Sequence, residues 1–152
     1  MSSSAAAGHP GDQTVSALQE ALAAEQAASY GYGVVGAHLS GSPLAAATAD
    51  WVAHQRARDQ LEQMIFSHGA TPRAAAAAYR LPLMVRTGGE AVALAVILED
   101  RVAAAYLTVV ALRDPALREM GALRMRAAAL RAARWRGSTV AFPGLPGKAV
   151  AG

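Results

Sequence analysis

Two tight breaks, Ser40-Gly41-Ser42-Pro43 and Arg113-Asp114-Pro115, with one long irregular stretch between them, constrain how this chain can fold. Each break separates two long runs whose apolar residues recur at helical spacing. A connection that short makes the helices it joins antiparallel neighbours. The stretch from Ala70 to Gly89 holds an alanine run, Pro72, Pro82 and the pair Gly88-Gly89, and no convincing long helix. A loop of roughly twenty residues is uncommon in a compact domain unless it has a job. At up to ~3.3 Å per residue it can run the ~35–40 Å length of a helical bundle. The helices on either side of it are then parallel.

Helix 1 is predicted from about Asp12 or Thr14 to Leu39, with the stripe Val15, Leu18, Leu22, Glu25, Ser29, Tyr32, Gly36, Leu39. Helix 2 runs from Pro43, capped by Ser42, to His68, and Gly69 stops it. Its stripe reads Leu44, Ala47, Trp51, His54, Arg58, Leu61, Ile65. Thr87-x-x-Glu90 has the pattern of a capping box. It opens helix 3, expected to reach Arg113 with the stripe Ala91, Ala95, Leu98, Glu99, Val102, Tyr106, Val109. Asp114-Pro115 starts helix 4, which ends at Arg136 before Gly137. Residues 1–11 are small and polar, and are expected to form a disordered tail. Residues 12–137 are expected to form the bundle, and 138–152 an extended tail that packs on it through Phe142 and Leu145.

Composition removes several functions. Without cysteine there are no disulfides, zinc ribbons, iron–sulfur clusters or thiol nucleophiles. Met1 to Gly11 lacks a charged segment followed by an apolar one, so no signal peptide is expected. Glu99, Asp100 and Arg101 break the longest apolar run before it reaches the ~18 residues of a membrane span. The expected location is the cytoplasm, with no membrane contact. The net charge is +3, and seven arginines between Arg113 and Arg136 face only Asp114 and Glu119. Specific nucleic-acid binding is not expected, because these arginines spread around a helix and no recognised nucleic-acid motif accompanies them. The spacing Gly31-x-Gly33-x-x-Gly36 imitates a dinucleotide fingerprint inside a helical pattern, with no preceding strand to give it a mechanism. Ser29 has no nucleophile motif around it.

Two short connections flanking one long crossover is ferritin-like connectivity. The segments AAEQAASYGYGVVGAH (23–38), HQRARDQ (54–60), LEDRVAAAY (98–106) and RAARWR with AFPGLP (131–146) also resemble an actinobacterial ferritin-like family of unknown function. The resemblance covers nearly the whole chain after residue 12. It implies an all-α, ferritin-like four-helix bundle with a long helix 2–helix 3 crossover and an extended C-terminal tail. It brings no established reaction.

The ferritin-like superfamily builds di-iron sites from one Glu on each of two helices and Glu-x-x-His on each of the other two. Glu25 and Glu99 match the lone glutamates and His54 matches one histidine. Trp51, however, stands three residues before His54, and helix 4 has Glu119 near its start and no histidine. By depth along their helices, Glu25, His54 and Glu99 share a level to within a turn. Arg58, Arg124 and Arg131 lie within about a turn of it. Buried charges must be paired, and arginine suits carboxylates. The expectation is therefore a buried polar layer of Glu25, His54, Arg58, Glu99, Arg124 and Arg131, with no metal or cofactor and a non-enzymatic structural or interaction role. The alternative is Fe or Mn on Glu25, His54 and Glu99, in a metal-binding protein or oxidoreductase. A homodimer is the expected assembly. The glycines at 31, 33 and 36 suggest close packing against helix 2 or the crossover, or else a dimer seam.

Overall fold

The computed structural model describes residues 10–137. Four helices follow one another, α1 (Pro10–Ala37), α2 (Gly41–Ser67), α3 (Gly88–Val110) and α4 (Pro115–Arg136), and the described residues hold no strand. The tail expected to dock through Phe142 and Leu145 lies outside the described residues, as do residues 1–9. Pro10 and Gly11, read from sequence as tail, already belong to α1.

The helix ends follow local chemistry. At α3 the Glu90 N–H donates to Thr87 Oγ1 at 3.2 Å, and Glu90 Oε2 accepts from the Thr87 N–H at 3.0 Å. This closes the capping box. At α4, Asp114 accepts from the N–H groups of Ala116 and Leu117 at 2.8 and 3.0 Å, with Pro115 in the first turn. Gly137, at φ +75°, ends α4 in the left-handed region that an L side chain rarely adopts. The start of α2 differs from the sequence reading. Ser40, not Ser42, is the N-cap, and Pro43 lies in the first turn instead of at its first position. Proline is tolerated there because the first N–H groups of a helix have no partner within it. Helix α3 stops at Val110, three residues short of the predicted Arg113.

Contacts set the directions. Tyr32 reaches Asp50 while Glu25 reaches His54, so α1 and α2 are antiparallel. Tyr32 also reaches Glu99 while Glu25 receives Tyr106, so α1 and α3 are antiparallel too. Helices α2 and α3 are therefore parallel, as the long crossover predicts. Arg136 on Asp100, with Gly121 against Val109, makes α4 antiparallel to α3. Close helix packing joins α1 to α2, α1 to α3 and α3 to α4. Between α2 and α4, long side chains cross the seam instead, Arg124 to Gln60 and Arg134 to Asp50.

The crossover runs along α1 and is fastened by two buried glutamines of that helix. Gln19 donates to the Thr71 carbonyl at 2.8 Å and accepts from the Arg73 N–H at 2.9 Å. Gln26 donates to the Arg73 carbonyl at 2.8 Å. Further on, Tyr79 meets Tyr30 with ring centroids 5.5 Å apart, and Leu81, Leu83 and Val85 pack on the core. These contacts carry the chain from the end of α2 to the start of α3 beside the end of α1. Two apolar clusters result, one around Leu18, Leu22, Leu61, Ile65 and Val109, the other around Tyr32, Val35, Leu94 and Leu98. The charged residues sit between them.

Candidate functional site: a buried carboxylate–histidine–arginine layer

Glu25 from α1, His54 from α2 and Glu99 from α3 are each no more than 1% exposed. Each belongs to a largely apolar stripe, so forming the helices carries a polar group into the core. His54 lies between the two glutamates, with Nδ1 2.6 Å from Glu25 Oε2 and Nε2 2.9 Å from Glu99 Oε1. Only the protonated imidazole can donate from both nitrogens. Burial by itself pulls the His54 pKa down, but the hydrogen bonds and charges of Glu25 and Glu99 outweigh it and hold it up at about 9. The imidazolium is thus the stable form.

Two tyrosines close the layer from α1 and α3. Tyr106 donates to Glu25 Oε1 at 2.8 Å, and Tyr32 donates to Glu99 Oε1 at 2.7 Å while its ring lies 5.1 Å from that of His54. Burial, and then the neighbouring carboxylates, push both phenols well above their ordinary value, so they remain donors. From α4, Arg131 Nε donates to Glu99 Oε1 at 2.8 Å. Burial pushes the Glu99 carboxyl up, but His54 and Arg131 hold it below its ordinary value. Burial likewise opposes the charge on Arg131, and Glu99 more than restores it.

Tyr32 also carries the network to Asp50, at 3.3 Å. Asp50 is 4% exposed and accepts from Trp135 Nε1 at 2.8 Å and from Arg134. One chain of hydrogen bonds therefore joins Tyr106, Glu25, His54, Glu99 and Tyr32, and Asp50 is a second, longer acceptor for the single O–H of Tyr32. Three acidic residues (Glu25, Glu99, Asp50) face three cations (His54, Arg131, Arg134). Among the described residues, no three His, Asp or Glu side chains converge in the manner of metal ligands. Two polar atoms of this region are buried without a partner, Glu99 Oε2 and Ser29 Oγ.

Of the six residues expected in the layer, four meet: Glu25, His54, Glu99 and Arg131. Arg58 does not join them, because it forks onto exposed Asp59 at 2.9 and 2.7 Å beside it on α2. Arg124 turns to Gln60 across the α2–α4 seam. Trp51, placed from sequence on the inner stripe of α2, is 37% exposed and borders a shallow apolar pocket of about 210 Å³ with Gly33 and Gly36. The inner stripe is instead Ala47, Asp50, His54, Ala57, Leu61, Ile65. Asp50 stands outside the expected layer; from sequence it is a further acidic ligand only if it turns inward, as it does. The expected layer also omits Tyr32, Tyr106, Arg134 and Trp135. The only sequence signal for Asp50 is that it stands on His54's helical face four residues earlier; nothing local names Arg134 and Trp135 as its partners.

A family model described as a domain of unknown function (DUF4439) matches residues 17–147. The chain belongs to that family. A DUF4439 match of this extent takes in most of α1, all of α2, α3 and α4, and residues beyond α4. The fold is also similar to the crystal structure of a conserved hypothetical protein, rv2844, from Mycobacterium tuberculosis. The two are 32% identical, with a TM-score of 0.81, and the match covers 84% of this chain and 97% of that one. A comparison with curated proteins finds no match.

Proposed function

We propose that this DUF4439 protein is a non-enzymatic, self-associating helical scaffold of ferritin-like descent. In this reading a salt-bridged layer fills the level at which the ferritin-like superfamily places iron. The observation that carries it is the seating of His54. Both of its ring nitrogens face carboxylates, which leaves no lone pair for a metal in this arrangement. Arg131 adds a fixed cation to Glu99 where a ligand-bearing helix would supply Glu-x-x-His. The donor set therefore does not fit a di-iron site. The paired connections and parallel α2 and α3 support the ferritin-like descent. Engagement of Arg131, Arg134 and Arg136 by acidic residues of the chain itself counts against helix α4 as a nucleic-acid surface.

The competing reading, Fe or Mn held by Glu25, His54 and Glu99, draws on one observation, the buried and unpartnered Glu99 Oε2. Metal analysis separates the two. Protein purified without chelator is expected to contain no stoichiometric metal, and titration with Fe(II) or Mn(II) to give no saturable equivalent. One bound equivalent that disappears in His54→Ala would overturn the scaffold reading.

A further inference from the structure

Helix α4 carries two apolar stripes, one buried and one that reaches the core only at its edge, where Met120 packs against it and Ala127 is half-buried. Leu117, Gly121, Ala128 and Ala132 are buried against α3. Beside them Ala116, Met120, Leu123, Ala127 and Leu130 follow one another at alternating steps of four and three residues. This spacing is the seam of a coiled coil, with Met120 and Ala127 at one core position and Ala116, Leu123 and Leu130 at the other. Leu123 and Leu130 are each 58% exposed. Because α4 does not pack closely on α2, Ala116, Met120, Leu123 and Ala127 of the stripe line a groove of about 470 Å³, whose inner side is closed by Arg124 reaching Gln60 of α2.

The flanking charges say what fits there. Glu119 and Arg126 are exposed, one heptad apart on the outer edge of the stripe. Neither has an ion pair or side-chain hydrogen bond among the described residues. A two-fold axis near Leu123 would lay a second α4 antiparallel on the first. Each Glu119 would then meet the partner's Arg126, and each Arg126 the partner's Glu119. The same register sets Leu123 on the partner's Leu123, Leu130 on the partner's Ala116 and Met120 on the partner's Ala127. Leucine thus meets leucine at the axis, and a large residue faces an alanine on either side of it, along ~20 Å of helix. A surface that complements itself under a two-fold rotation is what an isologous dimer requires.

We propose that the outer stripe of α4, from Ala116 to Leu130, is the self-association surface of this protein, and that its occupant is α4 of a second copy in antiparallel register. The proposal rests on the self-association part of the reading above and is independent of the polar layer. Sedimentation equilibrium on the full chain tests it. The wild type is expected to be a dimer whose melting temperature rises with protein concentration, and Leu123→Glu a monomer with unchanged helical circular dichroism and concentration-independent melting, since Leu123 is 58% exposed in the single chain. Glu119→Arg or Arg126→Glu alone should weaken the dimer by about tenfold, and the two together should restore it. A dimer indifferent to Leu123→Glu overturns this surface but not self-association. A monomer at all concentrations overturns both. If Leu123 in that monomer is shielded from hydroxyl-radical oxidation, the stripe belongs to residues 138–152 of the same chain.

Discussion

His54 holds two carboxylates in the core, and its removal is the most informative single change. His54→Ala leaves Glu25 and Glu99 buried around a gap with no cation between them. Removing one partner of a buried charged group costs roughly 3–5 kcal/mol, far more than the net worth of the pair. Urea unfolding of His54→Ala should therefore show a loss in that range. Tyr106→Phe, which removes one O–H donor from Glu25, should cost only about 1–2 kcal/mol. Equal, sub-kilocalorie effects for both would mean that water reaches the layer and satisfies it. At this scale the sequence was legible where the helical period alone decides, so Glu25, His54 and Glu99 stand out as polar residues in apolar stripes. It was not legible where a long side chain chooses among partners. Arg58 and Arg124 lie about as near the layer as Arg131, yet only Arg131 has a carboxylate within reach on a closely packed neighbour.

The packing of the helices depends on where a glycine meets its neighbour. A Cβ at Gly121 of α4 would lie 3.0 Å from Val109 Cγ1 and 3.2 Å from the Val110 nitrogen, a branched side chain and a backbone atom that cannot easily withdraw. Gly121→Ala should lower stability by about 1–3 kcal/mol by forcing α3 and α4 apart. At Gly33 a Cβ would meet nothing within 4 Å. Gly33→Ala should raise stability by up to ~1 kcal/mol through helix propensity and a less flexible unfolded chain. Thermal unfolding of the two variants should move in opposite directions; a shared direction would mean that propensity or packing alone governs both. Sequence marked the glycines at 31, 33 and 36 as one patch of close approach. The structure divides them. Gly31 accommodates Leu98 of α3, whose Cδ1 would be 2.5 Å from an added Cβ, whereas Gly33 faces outward. The expected neighbour was α2 or the crossover; at Gly36 an added Cβ does meet Leu44 of α2, at 3.6 Å, but spacing cannot reveal that α3 passes Gly31.

Across the whole molecule, the layer makes stability depend on pH through coupled protonation. His54 titrates near 9 in the folded chain against 6.5 for the ordinary imidazole, so folding favours its protonated form. Its contribution is complete below pH 6.5 and lost as the pH rises through about 9. The difference corresponds to roughly 3 kcal/mol. Glu99 has the opposite sign. Its folded pKa is depressed, so its contribution is present above its ordinary value of 4.5 and fades as acid protonates the folded carboxylate. Unfolding free energy from urea titrations should therefore peak at about pH 5–6.5 and fall toward pH 9. A profile flat from pH 6.5 to 9 would mean that His54 is not held as the cation. No described helix is long and apolar enough to cross a membrane.

The sequence by itself determined the number of helices, most of their ends and the parallel course of α2 and α3. Those features depend on local periodicity, on caps such as Thr87 and Asp114, and on the length of each connection. It also determined that Glu25, His54 and Glu99 would meet, because helical rise converts residue count into depth. Only the tertiary structure decided that Asp50 and not Trp51 turns inward, that Arg131 and Arg134 and not Arg58 supply the cations, and that Leu123 and Leu130 of α4 stand outside the core. Each of these depends on the rotation of a helix about its own axis and on which neighbour packs closely, choices settled by contacts between residues far apart in the chain.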